Sequence, residues 1–485
     1  MTTSTGSGGS ARRSAGGDRR SARRSAGARR WVVLLTVLAL LASGCRGDDG
    51  GGAADSAQDG GDTGATADAS GASGASEAAG GGEVATDVGV SDEPCPNPVN
   101  EDNGCIYLGS LSDLTVGPFA SQGPAIVDAQ KAFWNRVNEE GGIGGAYDVD
   151  VETYVRDNQY NPEVQNQVYQ EIKGDILALA QTLGSPTTAA ILDDLKASDI
   201  VAAPGTWTSA WDFEEIVAES GAPYCVDAMN AVDWYAENND GVESVVAIGP
   251  PGDFGEDGAA GAKIAAEANG ATFEFIENAP GASLAGAIDT IVSDDPDLVF
   301  IAGTPAQLAE VAGGTTSRGY EGQFMGNAPT WDVSLLDSPV ADVLTERYHQ
   351  MAPWAQHDAD TPSHEAMREA LGDVEGNTAY VYGWGLSYPL RAVLEQAYSN
   401  GDLTRAGMVT AVGQVEEVDY EGLLPEGAGA FTGEPNDQIF RESVIHAPNP
   451  DSVSALEVTE DFYGGPTAAE YQFDAPCFEA VDLSG

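Results

Sequence analysis

Lysine is almost missing from this chain: Lys131, Lys173, Lys196 and Lys263 are all there are in 485 residues. With 21 basic against 77 acidic residues, the formal charge is −56. A surface of that sign repels phosphate backbones and anionic headgroups, so neither nucleic acid nor an acidic membrane face is expected as a partner. Histidine is just as scarce. His349, His357, His364 and His446 show no ligand spacing and no C-x-x-C occurs, so no metal site is expected. Catalytic signatures are missing too: there is no G-x-S-x-G and no Walker loop, and His364-Glu365 lacks the second histidine of H-E-x-x-H. Carboxylates are too abundant for any one pair to point to catalysis, so neither an enzyme nor a cofactor is expected. The acidic excess suits a saline habitat, where salt screens self-repulsion, or a biased, GC-rich genome.

The apolar stretch Trp31–Ala42 holds about twelve residues, too few to cross a bilayer. An arginine-studded, nearly acid-free segment precedes it, and Leu41-Ala42-Ser43-Gly44-Cys45 closes it. A positive start, a short apolar core and small residues at the cut mark a secretory signal. A cysteine directly after Ala-Ser-Gly resembles a bacterial lipobox, which implies cleavage before Cys45, a diacylglycerol on its sulfur and a lipid anchor. Arg29-Arg30-Trp31-Val32-Val33 also resembles a twin-arginine signal, so the general and twin-arginine export routes both stay open. Residues 1–44 hold eight arginines and one aspartate; without them 13 basic and 76 acidic residues remain, a formal charge of −63.

Residues 46–92 are mostly Gly, Ala, Ser, Thr and Asp, with no aromatic and three valines. Such a segment buries too little apolar surface to order itself and is expected to be a flexible tether. Beyond it stand Cys95, Cys105, Cys225 and Cys477. An even number in an exported chain argues for two disulfides. Three pairings are possible and sequence does not choose among them. The preferred one closes a short Pro/Asn/Gly loop with Cys95–Cys105 and pins the C-terminal tail with Cys225–Cys477.

From Cys95 onward, short β-branched runs bounded by turn residues alternate with amphipathic stretches, as α/β units do. Strands are expected at 106–109, 149–155, 176–179, 200–203, 245–248, 272–276 and 298–301, and helices at 125–139, 162–173, 188–197, 258–268 and 306–312. Nearly 390 residues are too many for one core, so two lobes are expected.

In that frame the motifs resemble the type I periplasmic binding proteins, the branched-chain amino acid and amide-binding branch that serves ABC importers. Ile106-Tyr107-Leu108-Gly109-Ser110-Leu111-Ser112 with Gly117-Pro118 resembles the first strand and its ligand-side loop. Phe133-Trp134-Asn135-Arg136-Val137-Asn138 before Gly141-Gly142-Ile143 resembles a helix end of the family, and Asp157–Pro162 the next strand-to-helix turn. Thr182–Thr187 and Ala203–Thr208 stand where the family has two substrate-facing loops; Gly252-Asp253-Phe254-Gly255, Gln323–Gly326 and Tyr380–Ala392 resemble later landmarks. The resemblance implies two Rossmann-like lobes, each a mostly parallel sheet flanked by helices, joined by a multi-strand hinge. Laid along the chain, it implies a signal peptide over 1–44 and lipidated Cys45 with its tether over 45–93. The first lobe comes next over 94–228, then the second over 229–351, a return to the first over 352–429, and a return to the second with a tail over 430–485.

The resemblance thus implies a monomeric, lipid-anchored, extracytoplasmic protein that captures a small amino-acid-like, amide or carboxylate solute and hands it to an ABC permease. The alternatives are a surface sensor of the same fold and a purely structural lipoprotein. The family's carboxylate grip falls on Ser185 and Thr187 in one loop and on Gly205, Thr206 and Thr208 in the other. Phe254 keeps a stacking face where the family has tyrosine, and the second-lobe aromatic falls at or near Thr304. Ala328 stands where an acid often balances the ligand ammonium, which puts an α-amino acid in doubt unless Asp227, Asp253 or Asp332 takes over. Trp207 and Trp331 are expected to face each other across the cleft, and Trp211, Trp234 and Trp384 to pack inside.

Overall fold

A computed structural model describes residues 84–279, 281–374 and 377–483. The expected signal, Cys45 and most of the expected tether lie outside the described residues. The tether ends sooner than composition suggests. Two short strands, β1 (Ala85–Thr86) and β2 (Val90–Ser91), already belong to the fold, joined by a turn with Gly89 at φ 85°. Only glycine adopts that backbone without strain.

The first lobe is built on β3 (Gly104–Ser112), which is buried along almost its whole length. It pairs in parallel with β4 (Tyr147–Asp157) on one edge and with β5 (Ala178–Leu183) on the other; β6 (Ala202–Gly205) lies beyond β5, and β2 runs antiparallel beside the start of β3. Strands β5 and β6 are buried along their whole length, while β4, on the edge, alternates apolar and polar residues and is half-exposed beyond Val151. The helices between them are α1 (Gly123–Glu139), α2 (Pro162–Ile172) and α3 (Ser185–Ala197). Asn161 starts α2 by accepting from the backbone N–H of Glu163 and Val164, with Pro162 in the first turn.

The chain then passes to the second lobe through residues 206–223. Helix α4 (Tyr224–Asn238) already packs in that lobe, so the expected border at 228/229 falls inside a helix. The second sheet runs β8-β7-β9-β10-β11 in parallel: β7 (Ser244–Gly249), β8 (Thr272–Glu277), β9 (Leu298–Ile301), β10 (Gln323–Asn327) and β11 (Tyr348–Ala352). Helices α5 (Gly255–Ala268), α6 (Ala285–Asp294), α7 (Pro305–Thr316) and α8 (Ala341–Arg347) link these strands. Helix α5 is rich in Gly and Ala, and α4 lies close against it: a Cβ at Gly261 would run into the backbone of Cys225.

A second passage after Ala352 leads back to the first lobe, where α9 (Pro362–Leu371), α10 (Thr378–Gly385) and α11 (Ser387–Ser399) cover α1, before β12 (Asp402–Leu403) and α12 (Arg405–Val412). Strand β12 pairs with β1. The third passage ends in β13 (Ser443–Pro448), which joins β11 antiparallel and carries β14 (Leu456–Tyr463) on its outer edge. Both disulfides of the preferred pairing are formed, Cys95–Cys105 and Cys225–Cys477. Trp211, Trp234 and Trp384 are buried. No helix among the described residues is long and apolar enough to cross a membrane.

Candidate functional site

The carboxyl ends of both sheets face a cavity between the lobes. Parallel strands leave loops and helix N-termini there, where unpaired N–H groups collect. The buried carboxylate of Asp113 accepts from the N–H of Gly117 and of Phe119, each at 2.9 Å, and so holds the loop that brings Phe119, Gln122 and Ile126 to the wall. Tyr160 reaches it from a left-handed turn (φ 50°). Asn158 fixes that turn: its Oδ1 accepts from the Tyr160 N–H and its Nδ2 donates to Leu183 O. Gly184, at φ 98°, lets α3 begin against the Tyr160 ring, with no side chain capping its first turn.

Three hydroxyls run along this wall. Ser185 and Thr206 bond to each other, and Thr206 Oγ1 lies 3.3 Å from Tyr224 OH at the start of α4. Burial pushes the Tyr224 phenol well above its ordinary range, so it stays protonated and can donate. Trp207 donates its indole N–H to Ser220 O at 2.6 Å and meets Tyr224, Trp354 and Tyr382 edge-on. Phe254, just before α5, packs on Tyr224 with ring centres 4.8 Å apart. Pro329, Tyr382 and Leu386 complete the wall. The cavity measures about 30 Å³, and no described residue lining it carries a charge.

The lobes touch at its rim. Ser121 Oγ donates to Asp332 Oδ2 at 3.1 Å, and Gln122 Nε2 donates to Trp331 O at 3.2 Å.

The model of one family, described as periplasmic binding protein, matches residues 106–445. The chain belongs to the periplasmic binding proteins. Its fold is that of the type I members. A solved fatty acid ABC transporter substrate-binding protein from Thermomonospora curvata is 25% identical, covers 80% of this chain and 97% of its own, and superposes with a TM-score of 0.72. A branched chain amino acid ABC transporter from Thermus thermophilus with bound valine is 14% identical and covers 76% of this chain and 98% of its own, with a TM-score of 0.63. A leucine binding protein from Thermotoga maritima is 12% identical and covers 73% and 98%, with a TM-score of 0.60. No curated protein matches the sequence.

Within this periplasmic binding protein, Ser185, Gly205, Thr206, Trp207 and Phe254 line the cavity together. Five other expected contacts do not. Thr187 turns its hydroxyl back to Leu183 O and Gly184 O, and Thr208 is buried with its hydroxyl 3.5 Å from the Ala210 N–H. Thr304 is the N-cap of α7, locked in a capping box with Gln307. Ala328 lies behind Pro329, its carbonyl accepting from Gln350 Nε2 at 2.9 Å. Trp331 points away from Trp207 and stacks on Tyr348 in the core of the second lobe, with ring centres 5.6 Å apart and planes within 10°.

None of the three candidate acids for an ammonium lines the wall. Asp227 accepts from Ser443 Oγ and Asn327 Nδ2, and burial raises its carboxyl to about 7. Burial also raises Asp253, to about 6. Asp332 caps a short turn and takes the Ser121 hydroxyl. Asp257 lies beside the sulfurs of Cys225 and Cys477, which are tied to each other; it accepts from Ser209 and from the Cys225 N–H.

The sequence reading missed Phe119, Gln122, Tyr160, Tyr224, Pro329 and Tyr382. Tyr160 carried a signal: it stands inside the quoted turn, one residue before the asparagine that caps α2. Tyr382 likewise stands inside the quoted Tyr380–Ala392 stretch, whereas Tyr224 carried no signal, because α4 reaches the cavity only through the passage between lobes.

Proposed function

We propose that this chain is the extracytoplasmic, lipid-anchored solute-binding component of an ABC importer, and that its solute is a carboxylate with an apolar body and no α-ammonium group. The uncharged cavity wall carries this reading. An ammonium buried there without an acid would cost several kcal/mol. A carboxylate suits the same wall: Ser185, Thr206 and Tyr224 offer hydroxyls, and the first turn of α3 offers N–H groups and the positive end of its dipole. Phe119, Ile126, Leu183, Phe254 and Leu386 would surround an alkyl or aryl body. The 25% identity with a protein named for fatty acids supports this choice. At about 30 Å³ with the rim bonds made, the cavity holds only a water or two, so the solute enters with the lobes apart and is held with them less tightly closed than here. The anchor rests on the Ala-Ser-Gly-Cys45 motif, and the implied membrane partner is a permease.

The test sets isovalerate, isocaproate and longer straight-chain acids beside valine and leucine in a thermal-shift series. A bound acid at about 100 times its Kd adds about 2.7 kcal/mol, a shift of several degrees. The deaminated acids should shift the midpoint while the amino acids leave it in place. Thr206→Val should weaken the best acid about tenfold, the worth of one hydrogen bond to a charged group. A shift by leucine or valine equal to that of their deaminated counterparts would overturn the reading.

A further inference from the structure

A second cavity, of about 440 Å³, lies where the first and third passages between the lobes run together. Its walls are residues of Trp211–Gly221, the end of α12, and residues of Gly429–Phe440. We propose that it binds an organic cation bearing one or more ammonium groups, with Glu219 and Asp212 as the anionic anchors and Trp211, Phe213, Phe431 and Phe440 as the apolar and aromatic walls.

Glu219 is the decisive residue. It is 8% exposed and neither of its carboxylate oxygens has a hydrogen-bond partner; Oδ2 of Asp212, on the same wall, has none either. Buried carboxyls of native proteins are as a rule hydrogen-bonded or paired, so two such groups on one cavity wall call for a donor from outside the chain. No basic side chain lines the cavity among the described residues. Lys196 is paired with Glu214, and Arg441, the nearest guanidinium, is spent on the carbonyls of Ala468, Tyr471 and Asn436. Burial drives both carboxyls well above their ordinary range and neighbouring acids add to it; Arg441 offsets part of this at Asp212, and no cation does so at Glu219.

The geometry favours an organic cation over a metal ion. A hard cation gathers six to eight oxygens at about 2.3–2.6 Å. The one group of three possible ligand atoms within 4.8 Å of one another among the described residues is Cys225, Asp257 and Cys477, not these acids. Spread carboxylates between aromatic faces instead match an ammonium on a carbon skeleton, held by charge and by ring faces.

Calorimetric titration of the full chain with spermidine tests this, with calcium as the inorganic control. One saturable site should appear and persist at roughly 0.15 M salt, where loose attraction to an acidic surface is screened. Glu219→Gln should weaken it about tenfold, the worth of one charge-assisted contact. If that variant fails to fold, Glu434→Gln on the exposed rim should weaken it in the same direction. The proposal is overturned by heat that vanishes with salt, by an affinity that neither variant changes, or by calcium displacing spermidine from that site.

Discussion

Closure of the lobes should depend on two hydrogen bonds that lie together at the mouth of the cavity. Both donors, Ser121 and Gln122, stand just before α1 in the first lobe, and both acceptors, Asp332 Oδ2 and Trp331 O, come after β10 in the second. Gln122 is 4% exposed, so Gln122→Ala removes a buried bond and leaves a carbonyl short of a donor, a loss of about 1–2 kcal/mol. Ser121 is exposed, and water takes over part of its role, so Ser121→Ala adds about 1 kcal/mol. Together they should shift the closed-to-open ratio by about 30–150-fold. The shift is best read without a solute, because Gln122 also lines the cavity and would confuse an affinity measurement. Spin labels on α2 and α7, one on each lobe, report the interlobe distance directly. The double variant should show a longer, broader distribution than the parent, with a thermal midpoint within a few degrees of it, since neither side chain belongs to a hydrophobic core. An unchanged distribution would refute the latch and place the grip between the lobes in the passages themselves.

The two disulfides should differ in weight. Cys225–Cys477 closes a separation of 252 residues and Cys95–Cys105 one of 10, so loop entropy assigns them about 5 and 3 kcal/mol. Urea unfolding of Cys225→Ser should therefore show the larger loss, and an equal loss in Cys95→Ser would contradict the entropic account. Stability should also vary with pH through Asp227, whose carboxyl is raised from 3.8 to about 7 by burial. The folded state holds that proton more tightly than the unfolded chain does. The contribution is therefore complete below about pH 4, declines as pH rises toward 7, and is gone above it, with a ceiling of about 4 kcal/mol. Asp227→Asn should flatten that slope in urea titrations between pH 4 and 8. His446 acts on the other side: burial lowers it from 6.5 to about 3, so its contribution is lost as pH falls below 6.5.

Sheets and connecting helices were legible where one side of an element differs from the other, or where an apolar run is bounded by turn residues. Helix α1 shows this: its apolar positions share one face, and Gly141 and Gly142 end it at φ 114° and 75°. Helix α4 shows the reverse. Tyr224 through Trp234 are all buried, so no apolar stripe stands out. Its polar residues point inward as connectors: Asn230 donates to Arg441 O and Ser443, Asp227 accepts from Ser443 and Asn327, and Asp233 accepts from Thr467 and Asn269. Inward polar residues of that kind read as loop in a sequence, because their partners come from distant segments: the ends of β10 and α5, and the chain from Arg441 onward. The site divides along the same line. Ser185, Gly205, Thr206 and Trp207 were legible because their loops resemble the family's two substrate-facing loops, whereas Trp331 was misplaced because its choice between the cleft and the Tyr348 ring is a tertiary one. Net charge misleads most of all. A chain of −56 invites a cationic solute, yet its interlobe cavity is lined by uncharged groups, and its acids lie on the surface, in buried bonds such as those of Asp227 and Asp257, or around the second cavity. Overall charge governs what the surface repels; the preference of each cavity is set by the few side chains on its wall, and here one wall is uncharged and the other acidic.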